Sequence, residues 1–257
     1  MAVVTDRTVA LLPEWPAFAA AVTAAHPTAG TACEAWTTRD VVAHNAGNAE
    51  EITRTLRAHL EGAPVPPTRS FEERETPYLA MGDPALLGAL TERVEQLGAT
   101  LEEALAGDVS APVPWTGRQM KVSSFPTHMR NELALHRWDV VGDDEVSERL
   151  LDQPELTRHA VEAVGRPLLV RGMGRVHEAP QNELRLRAHG RDDVVLRPGS
   201  NGVELSLAPP DGDAVLETDA SARVLLLWGR QPCDTARLRS RAGRDTLGLL
   251  RTLLSGY

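Results

Sequence analysis

The chain has 257 residues, 42% hydrophobic and 4% aromatic, with a formal charge of −9 at pH 7. That length and apolar content suffice for two modest cores or one large one, and the acidic balance argues against nucleic-acid binding, which needs a basic face against phosphate. Two cysteines, Cys33 and Cys233, stand far apart and outside any CxxC pattern; they argue against a disulfide framework or a cysteine-built zinc knuckle and read as reduced thiols of a cytoplasmic protein.

The opening, "MAVVTDRTVALLPEWPAFAAAV", interrupts its apolar residues with Asp6, Arg7 and Glu14, so it does not read as a signal peptide. No apolar run approaches the ~18 residues that would span a bilayer, and no membrane partner is expected. Residues 7 to 25 predict a first, Ala- and Leu-rich helix. Trp36 and "TTRD" lead into a second, with Thr37 or Thr38 as N-cap and Asp40 in the first turn, where the helix dipole favours negative charge. Val42, Ala46, Ala49, Ile52, Leu56 and Leu60 recur at spacings of three and four, an amphipathic stripe. A long loop with four prolines is expected over 61–82, and loops of that length usually cover something.

Asp83-Pro84 opens a third helix with the buried face Leu87, Leu90, Val94, Leu97, Leu101 and Leu105. A second loop, "GDVSAPVPWTGRQ", precedes a fourth helix that starts near Ser124 to Pro126 and ends at Gly142. A fifth is expected from about Pro154 to Leu169. After residue 172 the period changes to two: "NELRLRA", "DDVVLRP", "GSNGVELSL" and "DAVLETD" read as strands, with Asn201-Gly202 as a hairpin turn, and "ASARVLLLWGR" and "RDTLGLLRTLL" as helices. The expected architecture is α+β with two domains: a helical bundle over 1–171 and a small α+β domain over 172–257.

The fourth helix carries the polar residues of interest. His128, Glu132 and His136 follow at i, i+4, i+8 on one face, while His44 and Asn48 share a face of the second helix. A helical bundle can build a metal site from facing helices, and two imidazoles with a carboxylate leave one position open, as a catalytic zinc requires; iron or nickel accepts the same donors. The plainer alternatives stay open from spacing alone: His44 as a core histidine, Glu132 and His136 as a surface pair. Arg130, just before Glu132, is a candidate for holding an anionic group. Trp36 and Trp138 are expected at the bundle core or near the site, with core anchors the preferred reading. Asp139 reads either as an acceptor for a ligating histidine's N–H or as a surface acid.

The segments "WTTRDVVAHNAGNAE" (36–50) and "KVSSFPTHMRNELALHRWDVVGDDE" (121–145) resemble the two signature segments of the mycothiol-dependent maleylpyruvate isomerase family, within the DinB-like four-helix metalloproteins. "DDVVLRPGSNGVEL", "DAVLETDASARVLLLWGR" and the terminal Leu-rich helix resemble the family's sterol-carrier-like C-terminal domain. The resemblance implies an N-terminal DinB-like four-helix bundle and a metal triad of His44, Glu132 and His136, with His128 outside it. It also implies a C-terminal-domain arginine, best matched by Arg230, on the substrate carboxylate. Zinc or another divalent metal and mycothiol, as thiol cosubstrate, follow from it, and so does a small-molecule electrophile as partner. The chemistry implied is addition of a metal-activated thiolate to an unsaturated carbon, followed by rotation and elimination in an isomerase or release of the adduct in an S-transferase. A thiol-independent metalloenzyme and a non-catalytic small-molecule-binding module on the same scaffold are the alternatives. The 61–82 loop, with Arg69 and Arg74, is expected near the mouth of the site.

Overall fold

The computed structural model describes residues 4–176, 180, 182–199 and 202–254. The chain divides into two units, residues 1–141 and 142–257. The first holds α1 (Asp6–Leu11), α2 (Trp15–Ala24), α3 (Thr38–Leu60), α4 (Phe71–Leu79), α5 (Asp83–Leu105), β1 (Pro112–Trp115), β2 (Arg118–Lys121) and α6 (Ser124–Val141). α3 packs along α5, α2 against α6, and both α4 and α6 against α3. Thr37 starts α3 with a capping box: its hydroxyl accepts from the Asp40 N–H while the Asp40 carboxylate accepts from the Thr37 N–H. The expected stripe Val42, Ala46, Ala49, Ile52 and Leu56 is buried, in one core with Leu90, Val94, Leu97 and Leu101 of α5.

Two segments expected as loops are structured. Within 61–82, Ser70 and Glu73 form a second capping box that starts α4, and the helix tolerates Pro77 near its end. α4 lies close on α3 at Gly47, where a Cβ would stand 3.0 Å from the Arg74 carbonyl oxygen. Within 107–119, β1 and β2 form a hairpin with Trp115 opposite Arg118. Its two turn residues, Thr116 (φ 48°) and Gly117 (φ 78°), are both left-handed, as a tight two-residue hairpin turn of matching twist requires. Val113, Trp115 and Met120 are buried.

The second unit opens with α7 (Glu145–Leu151), α8 (Pro154–His159), a π-helical segment (Ala160–Gly165) and α9 (Arg166–Met173), so the expected single helix over 154–169 is broken in its middle. Its sheet has the order β5-β4-β3-β6-β7, from β3 (Leu184–Ala188), β4 (Asp193–Gly199), β5 (Gly202–Ala208), β6 (Leu216–Thr218) and β7 (Arg239–Ser240). β3, β4 and β5 are antiparallel neighbours, and β6 runs parallel to β3. Gly199 faces Gly202 across the β4–β5 hairpin; Asn201 of the expected turn lies outside the described residues. α10 (Ala220–Leu227) and α11 (Arg244–Leu254) complete the unit. The expected boundary at 171/172 falls inside this unit. α7 and α8 pack on α10, and α9 packs on β5 and α11, so these helices share the sheet's core, and the chain divides at Gly142 (φ 77°), the left-handed residue that ends α6. Among the described residues no helix is long and apolar enough to cross a membrane.

Candidate metal centre

His44 sits in the second turn of α3, and Glu132 and His136 stand one turn apart on α6, so the packing of α3 on α6 brings the three together. All three are buried, and one donor atom from each lies within 4.8 Å of the other two. His44 Nε2 is 3.4 Å and His136 Nε2 3.3 Å from the same oxygen, Glu132 Oε2. Donors bound tetrahedrally to zinc at about 2.0–2.1 Å stand about 3.3 Å from one another. The donor set therefore fits a small divalent cation in both chemistry and spacing.

Each imidazole is backed by a carboxylate. His44 Nδ1 lies 2.7 Å from Glu75 Oε1, and His136 Nδ1 lies 2.8 Å from Asp139 Oδ2. An Nδ1–H donated to a carboxylate fixes the ring and leaves the Nε2 lone pair for an ion. Burial pushes the Glu132 carboxyl up, but hydrogen bonds from His136 and His44 outweigh it and hold Glu132 well below the usual carboxylate range. Burial alone would lower His136; its bonds to Asp139 and Glu132 raise it instead. His128 is different. Burial drives it down to about 4, so it is neutral at pH 7, 3.8 Å from the other Glu132 oxygen and against the Trp115 ring.

Aromatic rings enclose the histidines. Trp36 stacks on His136 with centroids 5.8 Å apart and lies 4.9 Å from His44, whose other side meets Phe71 at 5.5 Å. Trp36 is partly buried, packed both against the core and on the histidines, and Trp138 is buried. The loop holding Trp36 is fixed by the Ala32 N–H on the Asp139 carbonyl and by a bridge between Gly30 and Thr37, with Ala35 forced left-handed at φ 66°.

The two arginines expected at the site each have partners within their own unit. Arg130 turns to α2, where its Nε and one terminal nitrogen donate to the Glu14 carboxylate at 3.0–3.1 Å. Arg230 belongs to the second unit; it donates to the Trp228 carbonyl at 2.9 Å and lines, with Leu186, Leu216, Leu226 and Leu250, a cavity of about 250 Å³. Arg69 is bound by Glu50 and Glu51. The residues that sequence reasoning missed, Phe71 and Glu75, come with Arg74 from α4. Ser70 and Glu73 at capping-box spacing were the available signal, because a helix there puts residues 71, 74 and 75 on one face.

A family model described as the mycothiol maleylpyruvate isomerase N-terminal domain matches residues 9–141, ending where the first unit ends. Among solved structures the chain is similar to a mycothiol-dependent maleylpyruvate isomerase, with 17% identity and a TM-score of 0.64 over 93% of each chain. A histidine-to-alanine variant of that enzyme aligns over the same shares, with 16% identity and a TM-score of 0.63. At these identities the likeness shows a common α+β fold. A search of curated proteins gave no match. With more than half of its length matched by the family model, the chain belongs to the mycothiol maleylpyruvate isomerase family.

Proposed function

We propose that the protein is a divalent-metal-dependent, mycothiol-using enzyme that adds the thiol to an electrophilic, unsaturated small molecule. The observation that carries this reading is the convergence of His44, Glu132 and His136, each imidazole already oriented by a carboxylate. The family match and the fold of the solved relatives support it. A bound divalent ion would supply acidification of the thiol, so that sulfur is thiolate at neutral pH. The chain's own residues do the rest. Glu75 and Asp139 keep both imidazoles facing inward, Glu132 stays ionised beside them, and Trp36 and the half-exposed Phe71 lie against the histidine rings. Cis/trans isomerisation and S-transfer differ only in the fate of the adduct: elimination after rotation, or release. Among the described residues neither cysteine forms a disulfide, in keeping with a cytoplasmic enzyme.

The test is elemental analysis of the purified chain, followed by assays with unsaturated acids, maleylpyruvate among them, with and without mycothiol. Near-stoichiometric zinc or another divalent metal, and product or mass-detected adduct only with mycothiol, is the expected result. Turnover that ignores the thiol would instead establish a thiol-independent metalloenzyme. The leucine-lined cavity of the second unit favours one other reading, a small-molecule-binding module, which predicts ligand binding with no turnover under any thiol condition.

A further inference from the structure

We infer that Arg74 is the group of this site that holds the electrophile's carboxylate. The inference rests on the metal-site reading above for the reaction, but on separate atoms for the anion. Arg74 is only 5% exposed. It shares the inner face of α4 with Phe71, whose ring lies against His44, and with Glu75, which holds His44. Its guanidinium carbon lies 4.7 Å from the Phe71 centroid, a cation–π contact that fixes its plane. One terminal nitrogen donates to Asn48 Oδ1 at 2.9 Å, and Asn48 stands one turn beyond His44 on α3.

Among the described residues Arg74 has no carboxylate partner. Arg69 pairs with Glu50 and Glu51 and Arg130 with Glu14, but the hydrogen-bond acceptor of Arg74 is a neutral amide, and its Nε is buried with no acceptor among the described residues. Burial pulls Arg74 below the ordinary arginine range; the negative charges of Glu132, Glu51 and Glu75, in that order, oppose the fall. A buried cation with an unmet N–H is costly to fold around. A planar fork of N–H groups is completed by a carboxylate, which accepts two parallel bonds. Gly47 favours the placement. A Cβ there would meet the Arg74 carbonyl oxygen at 3.0 Å and Cβ at 3.2 Å, tight enough that a side chain at this position would press α4 back by a few tenths of an ångström.

Calorimetric titration of the full chain, zinc-loaded and metal-free, with maleate and with its neutral dimethyl ester tests this. The wild type is expected to prefer maleate. Arg74→Gln is expected to weaken maleate by about 10- to 100-fold, the range for losing hydrogen bonds to a charged group, with ester binding and zinc content unchanged. Arg74→Lys keeps the charge without the fork and is expected to fall between. Equal affinity of the wild type for acid and ester overturns the inference without any variant, as does undiminished maleate affinity in a zinc-retaining Arg74→Gln or Arg74→Lys. Loss of maleate in Arg230→Gln with no loss in the Arg74 variants overturns it too. A wild type that holds no zinc sinks the metal reading instead, and the metal-free titration still decides the role of Arg74.

Discussion

Two faces of α6 carry buried charge, and they are built in opposite ways. On one face Arg130 meets Glu14 through parallel hydrogen bonds at 3.0–3.1 Å, and the Glu14 side chain is 0% exposed. On the other, Glu132 stands between His44 and His136, with Arg74 nearby holding an unmet N–H. The first arrangement is closed: a carboxylate matched to a guanidinium. The second is open: several donors aim at one point, and their outer atoms are tied back by Glu75 and Asp139. A closed buried pair serves folding, and its loss leaves a stranded charge. An open cluster costs stability and is kept where something else completes it. Arg130, two residues before Glu132, belongs to the first kind, and Arg74, in a proline-rich stretch, to the second.

The sharpest way to break this contrast is to strike each side alone. His136→Ala is expected to abolish stoichiometric metal and all thiol-dependent turnover, while calorimetric unfolding of the metal-free chain changes little; retention of full metal content in the variant would count against the open cluster. Glu14→Ala should do the reverse. It should lower stability by about 3 kcal/mol, the usual scale for stranding one member of a buried pair, and leave the metal stoichiometry of the folded fraction intact, as read by denaturant titration and elemental analysis. Smaller and more diagnostic is Glu75→Gln, which loosens His44 without removing it. Metal affinity should fall about 10- to 100-fold, as for other lost supports of ligating histidines, measured by competition with a chelator of known affinity.

The least effect is expected from an exposed charge of the second unit, which extends the contrast to a wet surface. Asp219 caps α10 and pairs with Arg237. Burial opposes its ionisation, but the Arg237 bonds, the Ala222 N–H and the Ser221 hydroxyl outweigh it and bring its carboxyl down from 3.8 to about 2. A depressed carboxyl stabilises fully above its unfolded value and loses that contribution as pH falls through the folded one. Asp219→Asn should therefore lower Tm modestly at pH 6, with the two unfolding curves converging between about pH 4 and pH 2; a constant gap through that window would show that the pairing adds nothing.

Much of this was legible in the residues because the signals were local. Thr37 and Asp40 announce the start of α3, the leucines of α5 repeat on one face, and Glu132 with His136 needs only the helical period. The hairpin of β4 and β5 follows from alternation in "VELSL". What the residues did not announce shares a different cause. Arg130 finds its partner 116 residues away, which no spacing rule can anticipate. α4 was masked by its flanking prolines, although Ser70 and Glu73 mark its cap, and β1 by Pro112 and Pro114, although Thr116-Gly117 marks its turn. Trp36 reads as a core residue by type; only the loop pinned to the end of α6 lays it on the histidines. The unit boundary moved because α7 to α9 are helical like the first unit but bury their faces with the sheet.

The glycine at position 47 marks where two parts of the site meet. His44, Glu132 and His136 belong to α3 and α6, long helices with their own core, whereas Phe71, Arg74 and Glu75 ride on nine-residue α4, which comes closest to α3 at Gly47. Under the proposed function, grafting another 70–79 segment beneath an unchanged glycine, with its carboxylate for His44 retained, is expected to change which electrophile is chosen while leaving His44, Glu132 and His136 in place.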